Sequence, residues 1–190
     1  MDLSVSAVLF LILSFGLWDS DARKHHTVLT VPNGGKWGTW GGIALCPKGF
    51  ANGFSLKVQP YVNKLLANDD TFLNSIRLLC SNGDMIESKA GMSGTWTKPV
   101  KCRKGHLVSF SMQVKKSEGL GDDTSATNIK FRCEDGTEVS GESSSWRHPF
   151  GPWSKRCPSG SICGMQTKVE SKLVGVEETS LNDVKFFCCD

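Results

Sequence analysis

Three acidic pairs recur along the chain: Asp69-Asp70, Asp122-Asp123 and Glu177-Glu178. They open the words "DDTFLNSIRLLC", "DDTSATNIKFRC" and "EETSLNDVKFFC", so acid, acid, threonine, strand-like run and cysteine return together. Paired carboxylates can divide acid–base work, because close carboxylates raise one another's pKa and leave one protonated. Six of them meeting near one end of a symmetric fold would form a carboxylate ring. The same residues also make corners, since short polar side chains bond nearby backbone N–H groups where a chain turns into a strand. A corner that the fold turns three times accounts for three copies. Catalysis needs one acid and one base rather than three equal pairs. Neighbours on a strand also point apart, which suits them poorly to bracketing one bond.

Other reactive residue types carry less. No Gly-x-Ser-x-Gly elbow is present, and His106 and His148 have no evident Ser and Asp partners. Gly34-Gly35 and Gly41-Gly42 are turn glycines, because no Lys-Ser/Thr and helix follow them. There is no Cys-x-x-Cys, and His25, His26, His106 and His148 lack finger-like spacing to the cysteines, so neither a metal nor another cofactor is expected. Trp40, Trp96 and Trp153 recur once per unit and are expected to pack as core aromatics beside the strands. Trp37 and Trp146 have no tryptophan at matching places, which makes them the better candidates for surface contact, indole faces being good platforms for sugar rings.

The elements that must position these residues are also written three times. Gly38-Thr39-Trp40, Gly94-Thr95-Trp96 and Gly151-Pro152-Trp153 open the units, followed by Cys46, Cys102 or Cys157 and a turn at Gly49, Gly105 or Gly160. An alternating strand comes next, then the acidic pair and a second strand ending at Cys80, Cys133 or Cys188. Repetition at this period marks a repeat architecture, with units near 29–80, 81–133 and 134–190. Phe54, Leu56 and Val58 alternate with polar residues, as do Phe110, Met112 and Val114, and Met165, Thr167 and Val169. In the second strands Ile76, Leu78 and Cys80 share a face, with Arg77 opposite; Lys130 and Lys185 hold the matching outer places. Period-two alternation predicts sheets with one buried face. The basic series reads as a solvated face, and a surface for sulfated or sialylated glycans is its second reading. No sustained 3.6-residue period occurs, so the chain is all-β, with three apolar sheet faces turned to one pseudo-threefold axis.

Leu3 to Leu17 is apolar or small and shorter than the about 20 residues of a bilayer span. Ser20 and Ala22 suit a cleavage site, so 1–22 is expected to be a secretory signal peptide, although its start carries no Lys or Arg; a membrane anchor is the alternative. Cleavage removes Asp2, Asp19 and Asp21 but no basic residue, which moves the formal net charge from +3 to +6. That balance favours anionic glycans or acidic proteins, and no basic block or stripe marks a nucleic-acid surface. Residues 23–190 are expected to form one domain without a membrane span, and eight cysteines behind a signal peptide imply four disulfides. Equivalent pairing within units gives Cys46–Cys80, Cys102–Cys133 and Cys157–Cys188, leaving Cys163–Cys189; pairing between units in a cycle remains the alternative.

Read in order, "VPNGGKWGTWG", "ANGFSLKV", "LVSFSMQVKKSEGLGDDT", "FGPWSKRC", "CGMQTKVES" and "FFCCD" resemble the vitelline membrane outer layer proteins over essentially all of 23–190. The resemblance implies a β-prism of three Greek-key sheets and the four bridges just given. It implies a secreted, extracellular protein of an egg coat or mucosal fluid, with glycans or matrix proteins as partners; we expect a monomer. It also implies binding, and at most weak transglycosylation, of N-acetylglucosamine-type oligosaccharides. Such chemistry places two carboxylates about 5–5.5 Å apart for retention or about 6.5–9.5 Å for inversion. Two departures stand out: Glu177-Glu178 replaces the family's Asp-Asp, and "PSGSI" (158–162) lengthens the approach to Cys163. A structural or barrier role with glycan contact is therefore expected, ahead of an oligosaccharide-processing enzyme. The candidate contacts are the six acids, Trp37 and Trp146.

Overall fold

The computed structural model describes residues 23–59, 73–115, 125–142, 148–170 and 180–190, and among these the chain is strand and turn, without helix. Three long hairpins organise it. The first joins β4 (Ala51–Val58) to β5 (Leu73–Cys80), the second β9 (Leu107–Lys115) to β10 (Ser125–Cys133), and the third β12 (Ser161–Val169) to β13 (Leu181–Cys189). Their alternating residues pair face to face: Phe54 opposite Leu78, Phe110 opposite Phe131, and Met165 opposite Phe186. All six are fully buried. The rings meet across the axis, Phe54 to Phe131 at 4.7 Å, Phe110 to Phe186 at 4.7 Å and Phe131 to Phe186 at 5.0 Å. Such tilted and edge-on contacts suit the ring quadrupoles. Residues of matching height meet, so the hairpins stand in register. Val58 and Leu73, Lys115 and Ser125, and Val169 and Leu181 therefore face one end of the prism, and the disulfides lie at the other.

Each hairpin acquires outer strands. In the first sheet β6 (Met85–Glu87) follows β5, while β7 (Thr95–Trp96) and β8 (Val100–Lys101) return beside β4. That is the Greek-key order, a fourth strand lying beside the first. In the second sheet β11 (Glu138–Ser140) flanks β10, but the return beside β9 is reduced to a bridge between Gln113 and Phe150. Pro152 has no N–H to give a ladder here, although Gly151, Ser154 and Cys157 around it still donate to the carbonyls of Met112, Phe110 and Val108. The third sheet draws on both ends of the chain. β1 (Thr27–Leu29) pairs with β13, and β2 (Thr39–Trp40) and β3 (Ala44–Leu45) pair with β12. Every sheet thus joins the hairpin of one sequence unit to the opening segment of the next, and the last unit takes its segment from the first.

This exchange changes what the disulfides do. The bridges are Cys46–Cys80, Cys102–Cys133, Cys157–Cys188 and Cys163–Cys189. Cys46 lies on the shared sheet, its N–H donating to the Cys163 carbonyl at 2.7 Å, and bonds to Cys80 in the first sheet. Cys102, whose N–H donates to Asn52 of β4 in the first sheet, reaches Cys133 in the second; Cys157, whose N–H donates to Val108 of β9 in the second, reaches Cys188 in the third. Pairing within each sequence unit therefore clasps all three sheets in a ring. Only Cys163–Cys189 closes within one sheet.

The outer faces differ from the expectation of open, solvated surfaces. Ser55, Ser109, Ser111 and Lys115 are all buried. Returning segments cover them and use their polar atoms: the Ser111 hydroxyl donates to the Gly151 carbonyl at 2.7 Å, and the Ser109 hydroxyl donates to the Ser154 carbonyl at 3.2 Å. Alternation identifies the apolar face but is silent on what lies over the other. Each hairpin also carries an extra residue near its connection, at Asn74, Thr127 and Asn182, where the pairing register shifts. All three side chains are fully buried. Repeated polar bulges of this kind sharpen the twist that three sheets need to close around an axis.

Candidate functional site

The acidic pairs belong to the connections between β4 and β5, β9 and β10, and β12 and β13. Asp69, Asp70, Asp122, Asp123, Glu177 and Glu178 lie outside the described residues, as does Trp146. Trp37 is described and is 55% exposed. It precedes Gly38, whose φ of 88° favours glycine and whose Cα lies so close to β12 that a Cβ would stand 2.6 Å from the Glu170 nitrogen. Lys168 fixes the same turn, its ammonium donating to the Lys36 carbonyl at 2.7 Å. A bare indole thus stands at the connection end of the third hairpin, beside the strand that leads to Glu177 and Glu178.

The once-per-unit tryptophans depart from the expected core packing. Trp40, Trp96 and Trp153 are half-buried on the outer faces, and none joins the core cluster. Basic side chains lie over each ring: Arg77 on Trp96 at 4.0 Å, Lys185 on Trp40 at 4.2 Å, Lys130 on Trp153 at 4.7 Å and Arg132 on Trp153 at 4.3 Å. A cation within about 6 Å of an indole is drawn to the face of its π-system. Arg77, Lys130 and Lys185 are therefore not a plain solvated row; they hold down the returning segments. Two glutamates complete the arrangement. Glu87 pairs with Arg77 at 2.6 Å, and Glu138 accepts from Arg132 at 2.8 Å and Lys130 at 3.2 Å. Those donors hold the Glu138 carboxyl below its ordinary range. Sequence reasoning missed Lys168, Arg132, Glu87 and Glu138. The signal was available for the glutamates, each of which lies a few residues beyond the Asn82-Gly83 or Asp135-Gly136 turn.

At the disulfide end the residues after the three turn glycines, Phe50, His106 and Ser161, draw together. Phe50 and His106 have ring centroids 5.2 Å apart. His106 does have an acidic partner: its Nδ1 lies 3.0 Å from Glu134 Oε1, which also accepts from the Ser161 hydroxyl. Burial raises the Glu134 carboxyl, but the Ser161 and His106 contacts outweigh it and leave the group lowered. The order is wrong for nucleophile activation, because the carboxylate stands between hydroxyl and imidazole. Among the described residues no cluster of three or more His, Cys, Asp or Glu could hold a metal, no cysteine is free, and no helix is long and apolar enough to cross a membrane.

Three sheets of Greek-key order around a common axis make this a β-prism protein. Solved structures share the fold: an artocarpin–mannotriose complex (TM-score 0.51, 15% identity, 87% of this chain and 98% of that one) and the mannose-binding lectin from champedak (0.50, 12%, 88% and 96%). So does the V. cholerae biofilm matrix protein Bap1 (0.51, 14%, 88% of this chain and 24% of that one). Residues 27–190 match the family model of vitelline membrane outer layer protein I, and the chain belongs to that family. It is 45% identical over 179 residues to the human vitelline membrane outer layer protein 1 homolog, covering 90% of this chain and 87% of the relative. The mouse homolog is 37% identical over 203 residues, covering 100% and 99%.

Proposed function

We propose that this is a secreted structural or barrier protein of an extracellular coat or fluid, which holds oligosaccharides at the connection end of its prism. In this reading residues 1–22 are a signal peptide, and 23–190 form one β-prism domain that acts as a monomer and engages glycans or matrix proteins. The name of its family supports an outer-layer role, and the mannotriose held by artocarpin supports the class of ligand tested first. The observation that carries the reading is Trp37, a largely exposed indole on the residue before Gly38, whose own backbone lies against the end of β12. An aromatic face gives a sugar ring an apolar platform, and acids on a neighbouring connection could accept from its hydroxyls. Four disulfides suit an oxidising extracellular setting.

Titrating the oxidised mature chain with chito-oligosaccharides and mannose oligosaccharides tests this. Binding that falls at least tenfold in Trp37→Ala, with the melting temperature unchanged, is the expected result. No binding of any neutral oligosaccharide, or equal binding by Trp37→Ala, overturns it. Product formation that disappears in Asp122→Asn/Asp123→Asn while binding persists would instead bring forward the oligosaccharide-processing alternative.

A further inference from the structure

The three outer faces are copies of one design, so the one that departs from it is informative. In the first sheet the cation over the tryptophan is neutralised by Glu87, and in the second both cations are neutralised by Glu138. These glutamates come from β6 and β11, the edge strands beside β5 and β10. The shared sheet has β1 at that edge. β1 ends at Leu29, opposite Phe186, one residue short of Lys185, and Thr30 follows. Among the described residues, Lys185 therefore has no carboxylate within ion-pairing distance.

Two further cations stand close by. The Lys168 ammonium, 5.9 Å from the Trp40 ring, donates to the carbonyls of Lys36 and Gly35 and lies across the ladder from Asp183, whose carboxylate it shares with Lys185. Lys89 reaches across from the first sheet to donate to the Thr39 hydroxyl at 2.6 Å, one residue from Trp40. The nearby carboxylate, Asp183, is half-covered against Gly34 and accepts from its own neighbour's N–H, at Val184, at 2.8 Å. Two ammonium groups lie at a half-buried indole and a third on the residue before it, and one acid, Asp183, stands against the three.

We propose that this face, centred on Trp40 and Lys185, is a second glycan site, separate from Trp37, that takes anionic saccharides bearing sulfate or carboxylate groups. The indole offers a surface for the sugar ring, and the ammoniums, which outnumber the one acid beside them, receive the anion. Charge-assisted bonds between ammonium and sulfate or carboxylate are about twice as strong as neutral ones, and at a surface they weaken with salt. The first and second sheets, whose glutamates already occupy the cations over their tryptophans, should not bind such ligands. Sulfated and sialylated chains share the required chemistry.

The test uses the oxidised mature chain with a sulfated N-acetyllactosamine tetrasaccharide, its unsulfated parent and 3′-sialyllactose, at low and high salt. Poly-glutamate serves as an acidic polymer without sugar rings. Expected are at least tenfold tighter binding of a charged saccharide than of the unsulfated parent, and a loss of at least tenfold in Lys185→Gln and in Trp40→Phe. Lys130→Gln on the second sheet should leave that binding intact. Whichever charged saccharide binds tighter identifies the anion. Equal binding of charged and uncharged sugars, an equal loss in Lys130→Gln, or poly-glutamate binding that ignores Trp40→Phe would each overturn the proposal. Chito-oligosaccharide binding should persist in Lys185→Gln, and Trp37→Ala should keep the sulfated ligand, so the two sites can fail independently. Near-ultraviolet dichroism and disulfide mapping confirm that each variant is folded.

Discussion

Glu134 shows how one carboxylate serves more than one element. It follows Cys133, accepts from Ser161 at the start of β12 and pairs with His106 just before β9. Its carboxyl lies below the ordinary value of 4.5, so its contribution to stability is fully present above that pH and is lost as pH falls through the lowered folded value. The group is largely exposed, and a contact of this kind contributes about 1 kcal/mol at neutral pH. We expect Glu134→Gln to lower the melting temperature by about 2–4 °C at pH 7, with the gap closing as melts are repeated towards pH 3. A gap that stays constant with pH would show that the ionised form is not what matters. This contact was not legible in the sequence, where His106 and Glu134 lie 28 residues apart with no local pattern linking them. The inward-facing phenylalanines were legible, because period-two alternation states a side chain's direction. Trp40, Trp96 and Trp153 were misread because recurrence shows that a residue is needed in each unit, not on which side of the sheet it sits.

The strands and turns were plain in the sequence, and their assembly was not. Nothing in the local pattern of 39–40 or 95–96 says that the former pair with the last hairpin, and the latter with the preceding one, rather than with their own. The exchange becomes visible only when Cys46, Cys102 and Cys157 are located on their sheets. Two kinds of bridge result, and they separate thermodynamic from local effects. Cys102–Cys133 spans 31 residues and Cys163–Cys189 spans 26, so loop-closure entropy assigns each about 3–4 kcal/mol. Replacing either pair by alanines should therefore lower the unfolding free energy by similar amounts in denaturant titrations. Native-state amide exchange should differ. Loss of Cys102–Cys133 loosens the boundary between the first and second sheets, whereas loss of Cys163–Cys189 leaves the β12–β13 ladder protected. Matching exchange changes in both variants would contradict the ring of clasps.

At the scale of the whole molecule, the shared sheet brings the described ends together. Thr27 lies opposite Cys188, and His26 approaches Asp190 at 3.4 Å. A circular permutant that links Asp190 to Arg23 through a short glycine spacer and opens in the turn between Lys48 and Gly49 would carry each sheet as one continuous stretch. It should recover the same four bridges on peptide mapping and refold faster, because fewer of its contacts join distant parts of the chain. Scrambled bridges in this permutant would mean that the natural order of segments is needed to guide pairing.

Order also matters during synthesis. The ribosome releases the chain from its N-terminus, so the first sheet can assemble as soon as residue 101 emerges, and the second after residue 157. Residues 27–45 are made before either, yet β12 and β13, the strands they pair with, come last. Through most of translation β1, β2 and β3 are strand edges without a sheet, the kind of segment that joins the wrong partner. The earlier-made strands β1, β2 and β3 therefore wait for the later-made β12 and β13, and for that interval a chaperone or the early Cys46–Cys80 bond has something to protect.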